Sequence, residues 1–344
     1  MRIFVTGAAG LIGGEATARL AARGHRLTAL VHRNTDVRGN DGAAPTLHLL
    51  LNGDVSQPRF GWDQAQFDAV AADHDLVIHC AATTRFDLSP EQYRAVNVEG
   101  TAQAIAFARA GRAALLHVST AYVCGGREGR IGEDDPLPAS GFANGYEASK
   151  AAGEALVAAS GLPFAIARPS VVVGDHGSGR IRTFDTIYAA FKLIALGRVR
   201  QMPASTDATI DFVPIDHVAA GLVGLAESMA AADGGRYHLV SGDPVPATAF
   251  ADAIGAYPQF SRPALIDPAR FDPAALPATE RRLYAHVAGL YSAYFQRNPR
   301  FDDSRLRALT GLACPPTGPD FLRRLIDHCI AVGFLPGAPA QASG

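Results

Sequence analysis

The segment Val5-Thr6-Gly7-Ala8-Ala9-Gly10-Leu11-Ile12-Gly13-Gly14 constrains this chain more than any other. It follows a strand-like run, Arg2-Ile3-Phe4-Val5, and opens a helical pattern over Ile12–Arg23, after which Arg26–Val31 reads as a second strand. In that setting Gly7 allows a tight turn, Gly10 lets the backbone approach a pyrophosphate, and Gly13 permits a helix to pack closely on a strand. The free N–H groups and partial positive charge of the helix N-terminus suit phosphate. A glycine-rich loop alone is a weak signal. Between a first strand and a first helix it predicts a dinucleotide site, with Gly7, Gly10, Leu11 and Ile12 at the cofactor.

The alternation continues through the first half. Leu76–His79, Leu115–Ser119 and Phe164–Ala167 read as buried parallel strands, and Thr101–Arg109 and Ser149–Ala159 as helices. Strands alternating with helices predict an α/β chain on a doubly wound parallel sheet, the Rossmann arrangement. At 344 residues the chain is long enough for one large or two intimately packed domains. Beyond Gly174 the pattern loosens and prolines accumulate. The expected division is a dinucleotide-binding domain over 1–174 and 207–241, and a smaller, mostly C-terminal substrate-binding region over 175–206 and 242–335. Ile210–Pro214, Val218–Glu227 and Tyr237–Val240 read as strand, helix and strand, returning to the main sheet. The tail 336–344 is rich in small residues and is expected to be disordered.

Composition removes several function classes. A formal charge of −2 and the lack of any Lys/Arg-rich run leave no field for nucleic acid. Cys80, Cys124, Cys314 and Cys329 lie far apart with no CxxC spacing, which predicts buried reduced thiols and no metal site. The N-terminus lacks the cationic and apolar regions of a signal peptide. Lys192 interrupts the apolar run Ile187–Leu196, so no membrane span is expected. Together these features predict a cytoplasmic protein.

The end of the second strand distinguishes one cofactor from the other. An NAD site places an acid on the ribose 2′-hydroxyl there, whereas a cation accommodates a 2′-phosphate. This chain reads Leu30-Val31-His32-Arg33-Asn34, with no carboxylate and with Arg33 offering a rigid fork of donors. NADP(H) is the expected cofactor.

Tyr146-Glu147-Ala148-Ser149-Lys150 sets a phenol and an ammonium four residues apart on one helix face. A nearby cation favours phenolate, so Lys150 is expected to draw Tyr146 down towards a range useful for proton transfer. Ser119-Thr120 ends a strand at its carboxyl side, where open α/β sheets carry their ligands, and could hold a substrate oxygen.

With these residues in hand, the sequence resembles the extended short-chain dehydrogenase/reductases. Within them it is most similar to the thioester-reductase and fatty-acyl-reductase branch. The similarity rests on Gly53-Asp54-Val55-Ser56-Gln57-Pro58, His79-Cys80-Ala81-Ala82-Thr83, Asn97-Val98-Glu99-Gly100-Thr101, Ser119 to Val123, Asn144 to Lys150, Arg168-Pro169-Ser170 and Val173 to Arg180. It covers about the first 240 residues, and the final third matches no reductase terminus. No carrier-protein or adenylating segment is expected in the chain.

The resemblance implies Asp54 and Val55 at the adenine and Ala81 and Ala82 beside the nicotinamide ribose. It also implies that Tyr146 and Lys150 bind that ribose and that Pro169 borders the nicotinamide. Thr120, Tyr146 and Lys150 match the catalytic group, and Asn97 matches an asparagine that shapes the neighbouring helix. A homodimer is what the family suggests.

Remaining features have plain readings. His79 is expected to pack under the cofactor. Leu283, Val287, Leu290, Tyr291 and Tyr294 have helical spacing, which predicts a core helix or, as the sharper alternative, a cover over an apolar substrate. Arg180 and Arg182 are either solvated charges or contacts for an anionic carrier or coenzyme.

The expected reaction is NADPH-dependent hydride transfer to the carbonyl of an apolar substrate. An acyl thioester, free or on coenzyme A or a carrier protein, or an aldehyde leads. The alternatives are a ketoreductase acting on a ring carbonyl, a nucleotide-sugar epimerase or dehydratase, and a non-catalytic NADPH-sensing module on the same fold.

Overall fold

The computed structural model describes residues 1–338. Seven parallel strands form one sheet: β1 (Arg2–Thr6), β2 (Arg26–Val31), β3 (Leu49–Asn52), β4 (Leu76–His79), β5 (Ala114–Val118), β6 (Phe164–Pro169) and β7 (Gly235–Leu239). Their spatial order is β7-β6-β5-β4-β1-β2-β3. Successive side chains of a strand point to opposite faces, and in β1 both faces are buried. Ile3 and Val5 pack with Ala16 and Leu20 of α1 (Leu11–Ala22) on one side. Phe4 packs with Phe60, Trp62 and Phe107 on the other. A strand that must be apolar on both faces reads as a continuous hydrophobic run, which is why β1 and β4 were legible.

Helices cover both faces. α1 packs against α5 (Ile215–Glu227), whose Val218, Leu222 and Leu225 join the first cluster. α2 (Gly100–Gly111) and α3 (Gly145–Ala158) pack side by side over the second, burying Ile105, Ala108 and Val157. The strand order reverses between β1 and β4, so a crevice opens beyond their carboxyl ends. A further cluster lies on the substrate side, where α4 (Thr186–Ala195), α6 (Ala247–Gly255) and α7 (Pro319–Ala331) bury Ile194, Ile254, Phe321 and Ile326.

Three details depart from the sequence reading. Ile210–Pro214 is not a strand of the main sheet. Thr209–Ile210 pairs antiparallel with Val245–Pro246, and Phe212–Pro214 pairs parallel with Val171–Val173. The chain bends at Asp211, whose carboxylate accepts from the Ser170 hydroxyl and from Ser241 N (2.8 Å), and the β6 edge is already taken by β7. Tyr237–Val240 does return to the sheet, as β7. Second, β3 was not anticipated. It is an edge strand whose Leu49 and Leu50 are exposed.

Third, the run from 283 to 294 is not one helix. A helix over Ala278–His286 stops where Val287 takes φ −134° and ψ −70°, and a 3₁₀ segment continues from Ala288 to Phe295. All four cysteines are free thiols. No helix among the described residues is long and apolar enough to cross a membrane. Residues 339–344 of the expected tail lie outside the described residues.

Candidate active site

The crevice holds two confluent cavities of about 520 and 280 Å³, which share Gly7, Gly10, Cys80 and Ala82. The larger lies over the ends of β1 and β2, bordered by Leu30 to Asn34, Gly53 to Ser56 and Ala81. Its floor is backbone. Gly7 takes φ +68°, and a Cβ there would lie 2.6 Å from Ala81 N; a Cβ on Gly13 would lie 2.3 Å from Gly7 O. Only glycine allows β1, the loop and α1 to approach this closely. α1 begins with Gly10 as its N-cap and no side-chain cap, so its first N–H groups face the crevice unsatisfied by the loop.

Arg33 stands exposed at the end of β2 beside this cavity. Burial pushes the Asp54 carboxyl up, but the Ser56 hydroxyl (2.7 Å) and amide (2.9 Å), with the nearby His32 and Arg33, together hold the group below the usual carboxylate range. Arg182 is neither free nor turned outward. Its Nη2 donates to Gly10 O (2.9 Å) and Ala9 O (3.3 Å), and its amide donates to the Asn40 side chain (2.9 Å). Asn40 also donates from its side-chain amide to Arg180 O (2.8 Å) and from its backbone N–H to the Glu15 carboxylate (2.6 Å). Segment 180–182 is thereby clasped onto the glycine loop and α1.

The smaller cavity lies beyond β4, β5 and β6. It is lined by Leu11, Ile12, Thr84, Phe86, Ser119, Thr120, Tyr122, Tyr146, Pro169, Asp185, Tyr291 and Tyr294, among others. Thr120 follows the last residues of β5, and its Oγ1 accepts from Tyr122 N (3.3 Å) at the start of a 3₁₀ turn. Asn144 caps α3 by accepting from Glu147 N (2.9 Å), which fixes Tyr146 in the first turn of that helix. The Tyr146 phenol and Thr120 line the same cavity, and the Thr120 side chain lies near enough to oppose the effect of burial on the phenol.

Lys150, one turn on, is fully buried and donates from Nζ to Val118 O (2.7 Å). Burial brings its pKa down to about 8, against an opposing pull from Glu154. The expected lowering of Tyr146 by Lys150 is not seen. Burial raises the phenol above its ordinary value, the Thr120 contact only moderates that rise, and the Lys150 ammonium is engaged with Val118 O.

Neighbouring polar groups fix the frame. His79 closes β4 with Nδ1 on Thr6 Oγ1 (2.8 Å), and burial takes its pKa down to about 3, so it is a neutral packing residue. Asn97 lies in a π-helical segment, Arg94–Glu99. It clamps Thr83 N (2.8 Å) and the Ser149 hydroxyl (2.9 Å), tying the β4 loop to α3.

Sequence reasoning singled out Tyr291 and Tyr294 but missed the rest of the aromatic wall, Phe86 and Tyr122. Phe86 lies 5.6 Å from the Tyr146 ring, 5.1 Å from Tyr291 and 5.9 Å from Tyr294. Tyr122 meets Tyr294 edge-on at 4.6 Å. Tyr291 and Tyr294 are buried in a core cluster, as the core reading expected though not on one helix, and both line the cleft. No local pattern marks Phe86, a single aromatic in a loop.

The crevice fits a dinucleotide. The Gly7 and Gly13 contacts above leave a side-chain-free floor. The buried Ser119 hydroxyl, on the wall of the smaller cavity, has no hydrogen-bond partner among the described residues. A buried hydroxyl of this kind is the polar contact a ligand would satisfy.

Residues 48–222 match an NAD-binding family model described as "Male sterility protein". An aldehyde reductase of Aspergillus flavus is 27% identical over 267 residues, covering 70% of this chain and 25% of that protein. An isonitrile lipopeptide synthase of Streptomyces coeruleorubidus is 26% identical over an alignment covering all of this chain and 25% of that protein. The chain thus spans about a quarter of the length of these relatives. The crystal structure of the terminal R domain from the myxalamid PKS-NRPS biosynthetic pathway superposes with a TM-score of 0.84 at 25% identity, covering 98% of this chain and 92% of that one. These last two alignments extend over the final third, where the sequence alone had shown no likeness.

Proposed function

This chain belongs to the male sterility protein family, within the extended short-chain dehydrogenase/reductases, and on that premise we propose that it is an NADPH-dependent reductase of apolar acyl thioesters or aldehydes. The observation that carries the reading is that Thr120 and Tyr146 line one end of a cleft continuous with the glycine loop and walled by aromatic rings. Gly7, Gly10, Leu11 and Ile12 would hold the dinucleotide phosphates, Asp54 and Val55 the adenine, and Ala81, Ala82, Lys150 and Pro169 the nicotinamide half. Arg33 would grip the 2′-phosphate. When bound, the nicotinamide supplies a hydride to the substrate carbonyl carbon.

The residues of the chain handle the oxygen. Thr120 and Tyr146 converge on one carbonyl oxygen, and the Tyr146 phenol gives it a proton as negative charge develops. Such preorganised donors contribute several kcal/mol in a site shielded from water. A phenol held protonated by burial is matched to the role of acid. Lys150, still largely charged near neutral pH, would hold the nicotinamide ribose and keep a proton one turn from Tyr146. With a thioester, hydride and proton addition gives a hemithioacetal, whose C–S bond then breaks to leave an aldehyde and a thiol. A second addition gives the alcohol.

The lining favours apolar substrates over nucleotide sugars. Among the described residues lining the smaller cavity, Asp185 is the only one of the Asp/Glu/Lys/Arg type. A sugar's hydroxyls and a second pyrophosphate would lose hydration there without matching partners. The acyl group would arrive as a coenzyme A or carrier-protein thioester.

The test is NADPH consumption with octanoyl-CoA, acetyl-CoA, octanal and cyclohexanone, with UDP-glucose followed separately by chromatography for conversion to an isomer or dehydration product. Octanal formed from octanoyl-CoA, with octanoyl-CoA clearly better than acetyl-CoA, is the expected result, since each buried methylene adds about 0.8 kcal/mol, roughly fourfold. Activity confined to cyclohexanone would move the chain to the ketoreductase alternative. Turnover of UDP-glucose alone would overturn the substrate class.

A further inference from the structure

Arg297 follows the 3₁₀ segment that carries Tyr291 and Tyr294, and it lies 150 residues beyond Glu147. Its guanidinium is buried against three parts of the catalytic frame at once. Nη2 meets Glu147 Oε1 at 2.9 Å, one residue from Tyr146, and the Glu147 carboxylate is fully buried. Nη1 donates to Gly125 O (2.9 Å), at the end of the turn that begins with Thr120. The guanidinium also lies over the Tyr122 and Tyr294 rings, 5.2 and 4.9 Å from their centroids. Glu147 in turn accepts from Ala143 N (2.9 Å) just ahead of the α3 cap.

Buried ion pairs contribute little net stability, because desolvating both charges offsets their attraction, and well-packed apolar residues often do as well. Stability alone therefore does not account for a charged pair here. What the pair supplies is direction, since a planar fork with two aromatic faces accepts few arrangements of its neighbours.

We propose that Arg297 is a positioning residue for the reaction: it fixes the start of α3, the Thr120–Gly125 turn and the Tyr294 wall in one register, so that Tyr146 and Thr120 reach the same carbonyl oxygen. The proposal rests on Tyr146 being the proton donor. It also makes the late segment around Tyr294 part of the catalytic frame rather than a cover added to it.

The test compares Arg297→Met, Arg297→Lys and the double variant Glu147→Gln/Arg297→Met, with Tyr146→Phe alongside and octanoyl-CoA and octanal as substrates. Turnover is expressed per NADPH-binding site, titrated by nucleotide fluorescence, so that unfolded protein does not count. Arg297→Met should lower kcat per site about 10- to 100-fold, the scale of a small misplacement of reacting groups, and raise KM, with NADPH affinity unchanged within about twofold. Arg297→Lys should recover part of kcat.

The double variant, free of an unpaired buried charge, should regain thermal stability while kcat per site stays low. Stability and activity recovering together would show a merely structural pair and overturn the proposal, as would an unchanged kcat per site in Arg297→Met. If neither Met-containing variant folds, a kcat per site in Arg297→Lys equal to wild type overturns it and a reduced one supports it. A fully active Tyr146→Phe, or no turnover of either substrate by wild type, defeats the functional reading itself. Active wild type, dead Tyr146→Phe and unaffected Arg297 variants defeat only the assignment of Arg297.

Discussion

At its dinucleotide end the cleft has a floor of backbone, and at its catalytic end it is walled by side chains. The first end is assembled from β1, its loop and the tips of β2, β3 and β4, with Val96 beside them, all within the first 96 residues, and its shape depends on the absence of side chains at Gly7 and Gly13. The second gathers Phe86, Thr120, Tyr122, Tyr146, Tyr291 and Tyr294 from a loop, two turns and a helix spread over some two hundred residues. A backbone site demands small residues at fixed spacing and tolerates little drift. A side-chain wall can be rebuilt from whatever the fold brings near, so its residues follow no spacing rule.

This contrast can be broken at its strongest point by Tyr146→Phe. The ring stays against Phe86 and only the donor goes, so NADPH binding should survive while turnover falls about 10²–10⁴-fold, the usual worth of general acid catalysis. Turnover within a few-fold of wild type would show that the catalytic end works without Tyr146.

Arg33→Ala sharpens the other end. Loss of one charge-assisted contact costs about 1.5–3 kcal/mol, so NADPH should bind roughly 10- to 100-fold more weakly while NADH is untouched. Equal weakening of both nucleotides in a titration would remove Arg33 from the 2′-phosphate role.

Lys150 belongs to both ends, and its variant has the smallest effect and an unusual sign. Burial lowers its pKa from the ordinary 10.5 to about 8. Below about pH 8 the ammonium is charged in both folded and unfolded chains, and burying it costs stability. From pH 8 towards 10.5 the folded state has already released the proton that the unfolded state keeps, and the penalty fades. Lys150→Met removes that penalty at pH 7 and gives up the bond to Val118 O, for a net gain of about 1–2 kcal/mol. Urea unfolding should show the variant more stable at pH 7, the gain shrinking by pH 10, and the enzyme inactive. A destabilised variant at pH 7 would mean that the Val118 contact outweighs the burial of charge.

What the sequence made legible follows the same division. The β1–loop–α1 unit, the parallel alternation and the Tyr146/Lys150 helix are all local patterns, and each lies where the spacing placed it. The edge strand Leu49–Asn52 escaped because its consecutive leucines, two of them exposed, show no alternation. Ile210–Pro214 read as one strand because a buried bend at Asp211 leaves no apolar gap. The spacing from Leu283 to Tyr294 is helical on paper, yet Val287 breaks it, and a Cβ at Gly289 would already crowd Tyr284 O at 2.9 Å. Arg182 was left between solvent and coenzyme, and its placement on the Gly10 carbonyl needed the fold. Arg297 carries no signal at all, because its meaning lies in a partner 150 residues away.

The order in which the sheet is completed has a consequence for synthesis. β6 ends at Pro169, but the strand that covers its outer edge, β7, starts only at Gly235. Until residue 239 has been made, the amides and carbonyls along Ala165–Arg168 face outward from an apolar strand, which is a template for pairing with another chain. Closure of so distant a contact is slow, so the nascent protein passes through a sticky stage that shorter connections would avoid. A chain cut at the loosening of pattern after Gly174 is therefore expected to aggregate through this open edge.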